Sequence, residues 1–304
     1  MSRAILVTGA TGKQGSSVLQ ALISAKADFQ YLALTRNPAS ASAQRLAQKS
    51  PSIKLIGGDL DHPDEIFRAA KEKTSVPIWG VFSVQLASTK AGDDTEERQG
   101  KALIDASLRN SIKHFVYSSV DRGGERLSGE NPTNVGHFIT KHHIEQHLFN
   151  KTQNSDMTYT VLRPVAFLEN FVPGMFGKVF ATLLRNMLKG KPLQLIATSD
   201  IGHFAAQSFL HPDEWRNRCI SLAGDELTFD QFKKIYERKT GQTLPTTFGF
   251  IAWFILWMNK DLHDMYKWFE TDGYGVDIPA LKRQHPGLKD FETWLATESQ
   301  FTTK

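Results

Sequence analysis

The feature that most limits what this chain can become lies at its start. An apolar run, AILVTG from 4 to 9, opens the loop VTGATGKQG and passes into an amphipathic segment, SSVLQALISA. Gly9, Gly12 and Gly15 therefore stand between a first strand and a first helix. In that setting the spacing has a physical reason. Gly9 permits a tight turn, Gly12 lets backbone approach a pyrophosphate, and Gly15 lets helix and strand pack closely, while the amino end of the helix faces the anion. A glycine triplet alone is weak evidence. At the head of an alternating chain it predicts a dinucleotide site, with Thr11, Lys13 and Gln14 completing the loop.

The alternation is visible downstream. YLALTR (31–36), IKLIGGD (53–59), IWGVFSV (78–84), HFVYSSV (114–120) and YTVLRP (159–164) read as buried strands, with amphipathic segments such as QGKALIDASLRN between them. This pattern predicts an α/β fold: a Rossmann-type, doubly wound parallel sheet covered on both faces. After Pro164 the regularity fades into FVPGMFGKVF, KGKPLQL and LAGDELTFDQF. The expected division is a nucleotide-binding domain at 1–164 and a smaller mixed substrate or partner lobe at 165–304, interleaved with the sheet and not separated by a linker. A chain of 304 residues has room for both. Within the lobe, Thr228 and Gln231 have the spacing of a capping box.

Composition removes several classes. Hydrophobic and charged contents of 40% and 22% are ordinary for a globular protein. Thirty-six basic and thirty-two acidic residues leave a net charge of +4 without a dense basic run, so no direct nucleic-acid partner is expected. The single cysteine, Cys219, fits a reducing compartment, and no export signal is expected at the start. A cytoplasmic location follows, with the nucleus as an alternative for a regulator. The longest apolar run, Phe248 to Met258, falls short of the roughly 20 residues that span a bilayer. A buried helix is the expectation, and an interfacial anchor the alternative, because the run carries two tryptophans.

The end of the second strand, ALTRNP, places Arg36 where an acid would read a ribose 2′-hydroxyl. An arginine without that acid favours NADP(H) over NAD(H), and Lys13 would add a second positive charge near the 2′-phosphate. The plainer alternative is that Arg36 only terminates an exposed strand. Asp59, after the third strand, is placed to accept from the adenine amino group, whereas Asp61 is expected to cap the helix starting near Pro63. Ser83, Val84 and Gln85 end the fourth strand and should lie along the inner ribose and nicotinamide; strand order alone places them there.

The stretch HFITKHHIEQH, 137–147, follows the serines Ser118 and Ser119, and its His137 and Lys141 share one helix face. Here the chain resembles the short-chain dehydrogenase/reductase superfamily, whose working set is a serine after this strand and Tyr-x-x-x-Lys on the next helix. His137 stands in the tyrosine's place, and Lys141 keeps the spacing. GATGKQG, TRNP, GGDLDH, ERQGKALIDAS, HFVYSSV, HFITK, LRPVAFLENF and LAGDELT, continuing through GYGVDIPAL, make nearly the whole chain resemble the NmrA-like family.

That resemblance implies an NADP(H)-binding protein in a family of fungal nitrogen-repression regulators, cofactor-ratio sensors and quinone or imine reductases. It implies Lys141 on the nicotinamide ribose, and in a reductase His137, Ser119, Lys141 or water as the proton source. Arg163 and Pro164 resemble the family's cofactor-side strand end. Phe167, Glu169 and Asn170 would then begin the substrate or partner cleft, with packing and turn roles as the plainer alternative. Trp253, in the aromatic run, either roofs that cleft or belongs to the core.

A tyrosine titrates near 10 and needs a neighbouring ammonium to exchange protons at neutral pH, whereas histidine titrates near 6.5 unaided. An imidazole is also shorter, so its proton is offered from a different point. His143 and His147 are four apart, but the sequence between them is not that of a zinc protease, and His142, His143 and His147 are assigned to a solvated or packing side, with no metal. Two functions remain: a cofactor-responsive regulator that lacks the usual tyrosine, or an NADPH-dependent reductase of a small apolar quinone, enone, imine or carbonyl. Enzyme status is left open between them.

Overall fold

The structure, a computed structural model, describes residues 3–87 and 92–303. The apolar runs form strands β1 (Arg3–Val7), β2 (Phe29–Thr35), β3 (Ile53–Gly57), β4 (Ile78–Ser83), β5 (His114–Ser118) and β6 (Thr158–Pro164). Later come β7 (Ala166–Phe167), β8 (Leu193–Ile196), β9 (Arg218–Leu222) and β10 (Asp225–Leu227). The main sheet has the order β3-β2-β1-β4-β5-β6-β9, with every neighbouring pair parallel. β9 lies beyond residue 164, so the later part of the chain supplies an edge of this sheet. Sequence order reverses between β1 and β4, where the following loops part to leave a crevice at the carboxyl ends of the strands.

The central strands are apolar on both sides because helices cover both. Ile5, Val7, Val116 and Leu162 pack with Val18 and Leu22 of α1 (Lys13–Ser24) and with Phe204 and Phe209 of the later helix Thr198–Leu210. The alternate residues Ala4, Leu6, Phe115 and Val161 face the opposite way. There they meet α3 (Pro63–Lys73), α4 (Thr95–Arg109) and α6 (Gly136–Thr152), through Ile66, Leu103 and Ile144. The short helices α2 (Ala41–Ala47) and α5 (Glu125–Glu130) complete this part.

The later elements build a second core around a small sheet, β10-β8-β7. They are a 3-10 turn (Leu168–Asn170), α7 (Met175–Met187), α8 (Thr198–Leu210), α9 (Phe229–Thr240), α10 (Gly249–Met258), α11 (Lys260–Thr271), α12 (Ile278–Gln284) and α13 (Phe291–Thr297). Phe171, Phe232, Phe291 and Trp294 lie at the centre of this core. α9 starts with the expected reciprocal cap: the Thr228 hydroxyl accepts the Gln231 N–H, and the Gln231 side chain accepts the Thr228 N–H.

Two expectations are corrected. Asp61 does not cap α3, whose cap position is His62; its carboxylate instead binds Arg98 and Gln99 of α4, at 2.9 and 2.8 Å. The aromatic run is helical but not buried. α10 buries only Ala252 and Leu256, one turn apart, and Trp253 is 65% exposed. A helix that is apolar all round must still present one face to its neighbours, and here the bulky side chains occupy the other.

Candidate cofactor and proton-transfer site

Steric fit explains the glycine loop. Gly9 has φ of +57°, and a Cβ there would lie 2.8 Å from Val84 Cγ1; at Gly15 a Cβ would meet the Gly9 carbonyl oxygen at 2.4 Å. The Gly12 N–H closes the turn on that same oxygen at 2.8 Å. Thr8 ties the loop to the next strand over, its hydroxyl donating to the Val84 carbonyl and accepting the Val84 N–H, at 3.0 and 2.8 Å. α1 starts at Gly12 without a side-chain cap and without an acid in its first turn. The orphan amides and positive end of α1 are thus left for an external anion, and a diphosphate fits this cradle.

Around the cradle, Thr11 and Lys13 are exposed, as is Arg36 just past the end of β2, where it forms no ion pair among the described residues. The Lys13 ammonium reaches the Glu169 carbonyl at 2.8 Å and so joins the loop to the later lobe. Asp59 is exposed, one carboxylate oxygen accepting the Asp61 N–H at 3.0 Å. At the end of β4 the Gln85 amide donates to Ser83 Oγ at 2.9 Å, and Gln85 Oε1 is buried without a partner among the described residues. Ser118 Oγ donates to Gln14 Oε1 at 2.5 Å, linking β5 to the first turn of α1. Ser119 behaves differently: it is buried, its N–H bonds the Leu162 carbonyl at 2.7 Å, and its hydroxyl accepts from Arg122 at 3.4 Å.

On α6, His137 and Lys141 stand one turn apart, and each has a carboxylate that sequence reasoning missed. Lys141 is buried and donates to Glu96 of α4 at 2.6 Å. His137 Nδ1 lies 2.5 Å from Asp261 Oδ2 at the start of α11, and the other Asp261 oxygen accepts the His137 backbone N–H at 3.3 Å. Burial alone would raise the Asp261 pKa. The hydrogen bond and charge of His137, with the amides of His137 and Gly136, outweigh it and hold the carboxyl below its ordinary range. The neighbouring histidines are tied to acids of α4: His143 to Glu97 at 2.9 Å and His147 to Asp105 at 3.0 Å. His142 lies 3.5 Å from Arg122; its pKa is lowered, chiefly by burial and then by that guanidinium.

Beneath this helix lies a polar hub. Arg163 does not turn toward the crevice; it forms a two-point pair with Glu145, at 3.1 and 2.7 Å, and Glu145 also binds Arg122 at 2.9 Å, all three essentially buried. The remaining Arg122 donors go to the carbonyls of Val120, Ser128 and Asn131. Asp121 beside it accepts the Gly123, Gly124 and Gly275 amides and the Ser128 and Ser221 hydroxyls.

The expected cleft residues are more structural than the sequence suggested. Phe167 belongs to β7 and pairs with Ile196. Glu169 uses one oxygen to accept the Thr198 N–H and hydroxyl, at 2.9 and 2.8 Å, and so caps α8. Burial raises its pKa against those bonds. Asn170 ends the 3-10 turn, half-buried, and Trp253 lies outward on α10. The one signal for borrowed carboxylates was local: α6 and α8 start after Val135 and Ala197, which cannot cap.

Against known proteins, the model of the NmrA-like family matches residues 1–295. An NmrA-like family domain-containing oxidoreductase of Aspergillus hancockii is 30% identical, over 79% of this chain and 73% of its own. The Escherichia coli NADPH-dependent quinone oxidoreductase solved with NADPH is 20% identical with a TM-score of 0.70, covering 95% of this chain and 97% of that one. NmrA, a negative transcriptional regulator solved with NADP, is 18% identical with a TM-score of 0.68, covering 97% and 94%.

Proposed function

This chain belongs to the NmrA-like family, and we propose that it binds NADP(H) and reduces a small apolar acceptor of the quinone, enone, imine or carbonyl class. Two features support the cofactor: the uncapped amino end of α1, which no acid of its own first turn neutralises, and the exposed Arg36 beside it. Solved neighbours of the same fold hold NADPH or NADP. When bound, the reduced nicotinamide supplies the hydride.

The observation that carries the reductase reading is the state of His137. Its imidazole is 12% accessible and stands one helical turn from Lys141, and only Nδ1 is bonded among the described residues. The second ring nitrogen is therefore available for proton transfer. The balance is simple: the acceptor gains a hydride from the cofactor and a proton from Nε2 of the imidazolium, its C=O, C=N or, in an enone, C=C double bond becomes single, the cofactor leaves oxidised, and the neutral imidazole takes a proton back from solvent. Lys141 is held by its ion pair with Glu96, and its ammonium has two further N–H groups to donate.

A regulatory role is the second reading, and the outward aromatic face of α10 favours it, because soluble surfaces seldom leave such a patch unused. Incubation of the purified protein with NADPH and a panel of quinones, enones, imines and aldehydes decides between them. Loss of absorbance at the reduced nicotinamide band is expected, with kcat lowered about 100-fold or more in His137→Ala while NADPH still binds. Tight NADPH binding without turnover across the panel, together with a partner retained in only one redox state of the cofactor, would support the regulator instead.

A further inference from the structure

Resting on the reductase reading, we propose that Asp261 is the positioning residue of His137, a carboxylate brought from the later lobe to set the imidazole's tautomer and orientation. The geometry is two-pronged. Oδ2 accepts a hydrogen bond from Nδ1–H at 2.5 Å, and Oδ1 accepts the backbone N–H of the same residue at 3.3 Å, so ring and helix start are fixed to one group. Val135 offers no cap of its own, and Gly136 gives the carboxylate its approach: a Cβ there would lie 2.6 Å from Asp261 Oδ1. Asp261 is itself held by the first turn of α11, which Asn259 caps through the Leu262 N–H at 2.9 Å.

The consequence is chemical. With the Nδ1 N–H donated to Asp261, Nε2 is the ring nitrogen left for exchange, and the same bond fixes the direction in which it points. A triad aspartate does this for its histidine in hydrolases. The fold thereby replaces a phenol, whose acidity depends on a nearby ammonium, by an imidazole oriented through a carboxylate. The groups acting on that carboxylate are His137, the backbone amides of His137 and Gly136, and the charge of the neighbouring Lys260.

The test uses the full chain with ¹⁵N-labelled histidine. The wild type should show a downfield imidazole proton on Nδ1, assigned by its disappearance in His137→Asn. Asp261→Asn, which preserves size, should remove that signal and move His137 toward the Nε2–H tautomer. It should also lower kcat on the quinone panel by about 10-fold or more with NADPH affinity unchanged. Asp261→Glu should restore part of kcat and of the signal. In a ¹³C titration, the Asp261 carboxyl should protonate below the ordinary aspartate range in the wild type and at higher pH in His137→Asn. A purely structural cap would lower the melting temperature of Asp261→Asn and leave tautomer and kcat as they were. That result, or an unchanged carboxyl titration in His137→Asn, overturns the proposal whether or not the wild type turns over. A wild type with the expected resonances but no turnover counts against the reductase reading and removes Asp261's catalytic role with it.

Discussion

The two walls of the crevice are held by different kinds of contact. On the glycine side the turn itself is local: a left-handed Gly9, the Gly12 amide on the Gly9 carbonyl, and a Gly15 with no room for a side chain. On the α6 side His137 and Lys141 each depend on a distant partner. Lys141 is paired 45 residues away with Glu96, and His137 124 residues away with Asp261. The glycine wall is a backbone shape suited to an anion, whereas the α6 wall is held by ion pairs that reach across the fold, several of them buried. A fault in the first should cost ligand, and a fault in the second should cost stability.

The largest expected effect tests the second half of that contrast. Glu145→Ala strands two guanidinium groups, Arg122 and Arg163, in a site where all three side chains are at most 2% exposed. Removing one partner of a buried network costs about 3–5 kcal/mol, to be read from the urea midpoint at neutral pH. Acid should have a related effect. Burial would raise the Glu145 pKa, but the two guanidinium groups outweigh it and the folded value is lowered. The wild type therefore has this contribution above the ordinary glutamate pKa and loses it as pH falls through the folded value. Glu145→Ala should lack that part of the acid limb. A loss under about 1 kcal/mol would mean the hub is solvated and the contrast between the walls is wrong.

The glycine wall should respond in ligand alone. Arg36→Ala removes an exposed guanidinium that holds no ion pair among the described residues, so the free protein's stability should change by less than about 0.5 kcal/mol. NADPH affinity by calorimetry should fall about 10- to 100-fold, the worth of one or two charge-assisted bonds to a 2′-phosphate, while NADH affinity stays as it was. Equal weakening of both would place Arg36 away from that phosphate.

How much of this was legible follows from the same contrast. The strands, the parallel order and the first glycine turn were readable because apolar runs, periodicity and steric need are written in adjacent residues. The Thr228–Gln231 cap was readable for the same reason. Asp61, Arg163 and Glu169 were not. Each sits beside a recognisable motif, but its partner lies elsewhere in the chain: α4 for Asp61, α6 for Arg163, and the start of α8 for Glu169. Asp261 falls inside NKDLHD, where nothing local separates it from the nearby Asp264, which pairs with Lys260 on its own helix. The pairing of a carboxylate with a cation is set by tertiary approach, and one sequence does not carry it.

The outer face of α10 gives the smallest effect and belongs to neither wall. Its run of ten residues without a charge read as core, because hydrophobicity without periodicity has no direction. The packed structure supplies one: Ala252 and Leu256 face inward at helical spacing, and Thr182 of α7 fixes the approach by accepting the Thr247 N–H at 2.9 Å. Trp253→Ser should therefore shift the urea midpoint by no more than about 0.5 kcal/mol, whereas Leu256→Ala, one turn on, should cost about 2–5 kcal/mol. If the tryptophan change matches the leucine change, α10 is buried in solution by something outside the chain's own core, and the outward face is an occupied surface.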